Sequence, residues 1–340
     1  MSSLARIVDR GVGAAFVVVL VLAPAIFSAF FLDAIITYAL LTGIAAASLT
    51  FLSAYGGMVS LAQVMMYGVA AFALGNLVVS PDSGSKGLKL GVDPYLSVVL
   101  ALLITTAVGL VLGAVAARSA GIYYLMLTLV YSVIGFYFFG QVVELSGFGG
   151  LNDIRAPSIL GDPPDRTRLY YAALLVAALV YLLIRYIVRT PFGLALQGIR
   201  DDPVRMTSLG YNVALHRTLA FGFAGFIAGL AGILGAWWVG LIAPSSIGLG
   251  ATLDLLVIAV LGGLKRIEGA WIGAALFAVM QNYLPSIDQF GDQWHTAVGV
   301  LFLLCVLASP DGVLGLWERA LARLGGPGRR TKPTPEQAAT

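Results

Sequence analysis

The chain is predicted to be an all-α polytopic membrane protein of about ten transmembrane helices, with both termini in the cytoplasm. Hydrophobic residues make up 59% of its 340 positions and charged residues 11%, against about 25% charged in a soluble domain. Mean hydropathy is +0.93. Apolar runs recur along the whole sequence between charged, Pro or Gly boundaries, most of them close to the roughly 20 residues that cross a bilayer. One transmembrane domain over 12–317 is expected, with a cytoplasmic N-terminus at 1–11 and a basic, Pro-rich and disordered tail at 318–340.

The first run, 12–32, follows Arg6 and Arg10. It is longer than the 7–15 residue apolar core of a secretory signal and reads as a retained helix. Further runs fall at 34–53, 58–79, 95–117, 120–142, 170–188, 218–241, 250–264, 269–285 and 295–309. The third opens at Gly56 and Gly57 and is a candidate broken helix. The eighth and tenth are short for a bilayer at 1.5 Å rise per residue, which implies little tilt, partial re-entry or shielding by neighbours. Placing the N-terminus inside puts fifteen basic residues in the cytoplasm and five outside, namely Lys86, Lys89, Arg155, Arg166 and Arg168. That asymmetry obeys the positive-inside rule, and the long excursions 80–94 and 143–169 then lie outside.

Composition also excludes several classes. The isoelectric point near 9.0 comes with a formal charge of only +3 scattered at segment ends, which suits membrane anchoring rather than nucleic-acid binding. Cys305 is the single cysteine, so no internal disulfide or cysteine metal site can form, and His216 and His295 are too far apart to suggest a histidine cluster.

Residues 189–217 form the charged cytoplasmic loop, "RTPFGLALQGIRDDPVRMTSLGYN" at its core. Thr190 and Pro191 predict the start of a short helix through Ile199. Asp202 and Pro203 read as the N-cap and first residue of a second, running to Leu209 and stopping at Gly210. Leu194, Leu196, Met206 and Leu209 are expected to expose apolar surface, as a docking knob would.

Chemistry-bearing residues are few. Asp254 is the one clear ionisable residue within a span, a functional candidate by position that is equally explained as a helix first-turn acid. Each lysine lacks the Gly-Lys-Ser/Thr context of a phosphate loop, so a powered transporter would need its motor on another polypeptide. In "GFAGFIAGLAG", Gly222, Gly225, Gly229 and Gly232 share one helical stripe suited to close packing. In "GGMVSLAQVMMYG", Gly57, Ser60 and Gln63 could line a cavity at a broken helix or simply bond a neighbouring helix. "VLGGLKRIEGAWIG" predicts a tight cytoplasmic hairpin.

Taken together, "YGGMVSLAQ", the 189–212 stretch, "LAFGFAGFIAGLAGIL", "APSSIGLGATLDLLVIAVLGGL" and "SPDGVLGLW" resemble a permease subunit of the branched-chain amino acid class of ABC importers, the longer of its two membrane subunits. The resemblance implies a heterodimer with a second permease subunit, two cytoplasmic ATPase subunits and an extracytoplasmic substrate-binding protein, in the bacterial inner membrane. No cofactor is expected on this chain; ATP and Mg belong to the ATPases. It further implies that Ile199, Arg200, Asp201, Asp202, Pro203, Arg205, Leu209 and Gly210 belong to the ATPase-coupling loop, and that Gly57, Ser60, Gln63 and Asp254 border the pathway. Two departures accompany it. Arg205 to Ser208 replace a more acidic, alanine-rich stretch, and Gln63 stands where many relatives carry a histidine. The competing readings are a permease for urea or short amides, an ion-coupled secondary transporter or channel, and a membrane enzyme or scaffold, for which no acid, base or metal-ligand cluster is evident.

Overall fold

The structure is a computed structural model, and it describes residues 20–24, 27–79, 87–157, 160, 167–286 and a few isolated positions beyond. Its described elements are helical apart from one isolated antiparallel bridge between Leu151 and Ile242. A turn at Ala29–Phe31 and a π-helical turn at Leu32–Thr37 lead into α1, Tyr38–Gly56. There follow α2, Gln63–Val78, α3, Pro94–Ala116, α4, Gly121–Gln141, and α5, Thr167–Arg189. Two short helices, α6, Pro191–Asp201, and α7, Pro203–Ser208, precede the longest helix, α8, Val213–Val239. The hairpin α9, Leu249–Gly262, and α10, Ile267–Tyr283, closes the described bundle.

Five helices are long and apolar enough to cross a membrane: Leu32–Gly56, α3, α4, α5 and α8. The count of about ten is therefore not reached among the described residues. The run expected at 58–79 yields only the shorter apolar helix α2, and that at 250–264 only the shorter α9, both under the length of a straight span. The first run lies partly, the tenth largely, and the terminal segments 1–11 and 318–340 wholly outside the described residues.

Burial sorts the helices into a centre and a shell. The central windows of Leu32–Gly56 and α8 are 83% and 78% buried, against 22%, 33% and 22% for α3, α4 and α5. The shell helices present Leu103, Val111, Ile122, Tyr123, Leu175 and Leu182 outward. Such surfaces suit lipid, where a helix is favoured because it satisfies its own backbone hydrogen bonds.

Small residues set how closely the centre packs. On α8, a Cβ added to Gly222 would meet Leu110, one on Gly229 would meet Thr105 and Ala70, and one on Gly232 would meet the Tyr67 backbone. The stripe thus faces α2 and α3. Gly109 lies opposite, its hypothetical Cβ 3.3 Å from the Gly222 Cα. Across the same core, buried Ser132 and Thr252 share a hydrogen bond of 2.7 Å between α4 and α9.

A helical knob fastened to an interrupted helix pair

Local chemistry builds the knob. The Thr190 hydroxyl accepts from the Gly193 amide at 3.4 Å, and Pro191 takes the first helical position of α6. The Asp202 carboxylate accepts from the Arg205 amide at 3.0 Å and Pro203 opens α7, satisfying donors a helix start leaves free. Gly210 then adopts φ +88, the left-handed conformation that ends the helix without a Cβ penalty.

Its packing differs from the expected all-apolar exterior. Leu196 and Ile199 are fully buried, and Leu196 lies over Gly56 rather than in solvent. Met206 is half-buried against Gly198. Leu194, Val204 and Leu209 remain exposed. Amphipathicity explains the correction: an eleven-residue helix lying on the bundle must bury one face, and Leu196 and Ile199 lie on it three residues apart. Arg200, Asp201, Asp202, Arg205 and Gly210 stay at the surface, with Arg200 paired to Asp201 at 2.8 Å. Gln197 donates to the Val188 carbonyl at 3.2 Å and so ties α6 to the end of α5.

Beside the knob, α1 and α2 are separated by the non-helical residues 57–62. Gly57 terminates α1 at φ +64. The interruption is buried yet hydrogen-bonded: Leu61 donates its amide to Thr128 Oγ1 at 3.1 Å, and Gln63 Nε2 donates to Ser60 Oγ at 3.3 Å. Ser48 Oγ donates to Gln63 Oε1 at 3.2 Å. Ser60 and Gln63 therefore join each other and α1, which is the neighbour-bonding alternative raised by the sequence.

Asp254 stands apart from this cluster. It lies in the second turn of α9, not the first, because the helix already starts at Leu249, one residue ahead of the apolar run. Its electrostatic neighbour is Tyr38 at the start of α1, ten residues and so about 15 Å along the helix from Ser48. At that same end Trp238 Nε1 donates to Asp33 Oδ1 at 2.7 Å and Asn282 Nδ2 to the Ala34 carbonyl at 3.2 Å. The four residues grouped by sequence thus separate into a knob-side cluster of Gly57, Ser60 and Gln63 and a distant Asp254. Sequence reasoning missed Ser48 and Thr128, whose only signal is a hydroxyl inside an apolar helix.

A family model described as "Branched-chain amino acid transport system / permease component" matches residues 31–307. The high-affinity branched-chain amino acid transport system permease protein LivM of Salmonella typhimurium is 27% identical over 248 residues, 63% of this chain and 56% of that protein. The high-affinity branched-chain amino acid transport system permease protein BraD of Pseudomonas aeruginosa is 31% identical over 150 residues, 43% of this chain and 48% of BraD. The autoinducer 2 import system permease protein LsrC of Escherichia coli is 30% identical over 178 residues, 51% of this chain and 50% of LsrC. The chain spans about half the length of the curated relatives it matches. No solved structure matches.

Proposed function

Because this chain belongs to the family of permease components of branched-chain amino acid transport systems, we propose that it is the membrane subunit of an ATP-driven importer for branched-chain or other apolar amino acids. It works in the bacterial cytoplasmic membrane with a second permease subunit, two cytoplasmic ATPase subunits that carry ATP and Mg, and an extracytoplasmic binding protein that delivers cargo. Residues 199–210 on the knob dock on an ATPase, and residues 143–169 face the binding protein.

The observation that best supports this reading is the build of the knob. Two capped helices expose Leu194, Val204 and Leu209 while Leu196 and Ile199 root them in the bundle. An exposed apolar cluster on a rigid support suits a docking surface. A rigid support also transmits displacement, whereas a loop without caps would absorb it. When the ATPases close around nucleotide, the knob moves with them and tilts the helices to which it is fastened, so the cargo cavity opens alternately to the two sides.

The test is a reconstituted transporter carrying Asp202→Ala with Pro203→Gly, or Gly210→Pro. ATP hydrolysis is expected to continue while labelled leucine uptake falls at least about tenfold, with membrane insertion unchanged. Uptake at the unmodified rate by correctly inserted variants would falsify the coupling role. The likeness to autoinducer 2 permeases favours a second cargo class of small solutes that are not amino acids. The same assay with labelled autoinducer 2 in place of leucine separates the two.

A further inference from the structure

A small cleft of about 30 Å³ opens between the α1–α2 interruption, the α3–α4 turn and the first turns of α8, with Met58, Ser119, Gly121, Tyr124 and Arg217 on its walls. Tyr124 is 3% exposed, and its hydroxyl, close enough to Ser60 to interact with it, makes no hydrogen bond of full geometry. Arg217 Nε is likewise shielded from solvent and without a partner. The remaining contact of that guanidinium is a long one, Nη1 to the Ser119 carbonyl at 3.5 Å. No described carboxylate pairs with Arg217.

Buried donors are ordinarily satisfied, and one without a protein partner calls for an explanation, a bound ion or water among them. Here the guanidinium carries a full positive charge and an open Nε–H, and the phenol can donate alongside it. The third wall adds to the same polarity. Gly121 starts α4, a helix of 21 residues, and its N-cap Ala120 has no side chain able to cap it. The first amides of such a helix and its positive dipole end favour an anion. A cation, a neutral hydroxyl donor and a helix N-terminus therefore line one opening.

We propose that this cleft is an oxyanion site, taking a carboxylate or a phosphate oxygen on Arg217 and Tyr124 at the start of α4. The opening is the size of one or two water-sized groups, so it would take single oxygens of the anion, with the rest of the molecule outside it. Two sources carry this chemistry: the carboxylate of a free amino acid and the phosphate of a lipid headgroup. Occupancy by the transported amino acid would place the site on the exit side of its route, next to Ser60; that part rests on the proposed function, whereas the anion site itself does not.

The experiment uses the full chain in phosphatidylcholine nanodiscs and reads its thermal unfolding midpoint against leucine, isovalerate, isoamylamine and inorganic phosphate. A second set of nanodiscs contains phosphatidylglycerol. Leucine, isovalerate or phosphate is expected to raise the midpoint and isoamylamine, which has the same apolar body and no carboxylate, is not. Tyr124→Phe removes one hydroxyl without altering the fold and weakens apparent affinity about tenfold, the loss of a hydrogen bond to a charged group. Arg217→Gln abolishes the shift and Arg217→Lys retains part of it. A rise seen only with phosphatidylglycerol, and lost in the same variants, assigns the site to the headgroup. Absence of any anion-dependent rise in either lipid, or a rise of equal size in Tyr124→Phe and Arg217→Gln, overturns the proposal. A transporter that imports leucine while its chain shows no such rise keeps the transport reading and loses this site.

Discussion

The Arg200 guanidinium donates to the Ala54 carbonyl at 2.5 Å, joining the end of α6 to the last turn of α1. Ala54 sits where a helix runs out of amides for its own carbonyls, and a cation there also meets the negative end of the helix dipole. Arg200 Cγ fills the space above Gly57, where an added Cβ would come within 2.6 Å of it. One side chain thus fastens the knob to the helix end at which the central pair is interrupted.

Arg200→Ala removes that fastening. The side chain is partly exposed, so the stability cost is expected to be only about 1 kcal/mol, below the full value of a buried charged hydrogen bond. The functional cost is expected to be larger, with leucine transported per ATP hydrolysed falling several-fold. Parallel measurement of uptake and phosphate release in proteoliposomes checks this, and an unchanged ratio would show that force reaches α1 by another contact.

Along the α8 stripe, two glycines are expected to respond differently to one methyl group. Gly225→Ala places its Cβ 3.4 Å from the Met66 sulfur, an ordinary contact with a side chain that can move. Gly232→Ala drives its Cβ into the Tyr67 backbone, 2.9 Å from the carbonyl carbon, which cannot yield without parting α8 from α2. The first should cost under about 1 kcal/mol and the second about 1–3 kcal/mol, as overpacking does. Thermal unfolding in detergent ranks them, and equal midpoints would mean the helices are less closely apposed.

Between α5 and α10, Tyr181 donates to Glu268 Oε1 at 2.9 Å while Arg185 reaches the Tyr181 hydroxyl at 2.6 Å and Glu268 at 3.8 Å. Both charged side chains are about half exposed, so the ion pair is expected to contribute less than about 1 kcal/mol. Glu268→Gln keeps the tyrosine's acceptor and should leave the unfolding midpoint nearly unchanged. A large drop would reveal that a neighbouring subunit or lipid excludes water from this corner.

Orientation has its own measurement. Val204 is exposed on α7, and Cys305 is the single native cysteine. In a Cys305→Ser background, Val204→Cys is expected to react with an impermeant maleimide in inverted membrane vesicles and not in intact spheroplasts. Labelling in spheroplasts would put the knob on the wrong side for an ATPase.

What the sequence disclosed follows from how local each signal is. The caps at Thr190 and Asp202 need only three or four adjacent residues, so their positions could be read directly, as could the glycine stripe, whose spacing repeats within one helix. Gly56 and Gly57 announced an interruption but not its length, because the chain resumes its helix at Gln63 only when Leu61 finds Thr128 on α4. Asp254 falls in the second turn and not the first since the helix begins at Leu249, one residue before the apolar run. Leu196 was misread as outward-facing because burial of one side of α6 depends on α1, far earlier in the chain. The facing of Tyr124 and Arg217 was invisible for the same reason: 93 positions separate them, and nothing local to either residue points to the other.

Between Gly57 and Ala62 the two helical ladders run out: Gly57 and Met58 still donate to α1 carbonyls, while the amides of Leu61 and Ala62 turn to the hydroxyls of Thr128 and Ser60. Bending an unbroken helix in lipid would strand amides and carbonyls with no water to receive them. Here the break already exists and two of its amides rest on side-chain hydroxyls, so a change of angle between α1 and α2 would strand fewer backbone groups than bending a continuous helix. That break lies in the most deeply enclosed helix pair, directly beside the Arg200 contact that ties the surface knob to it.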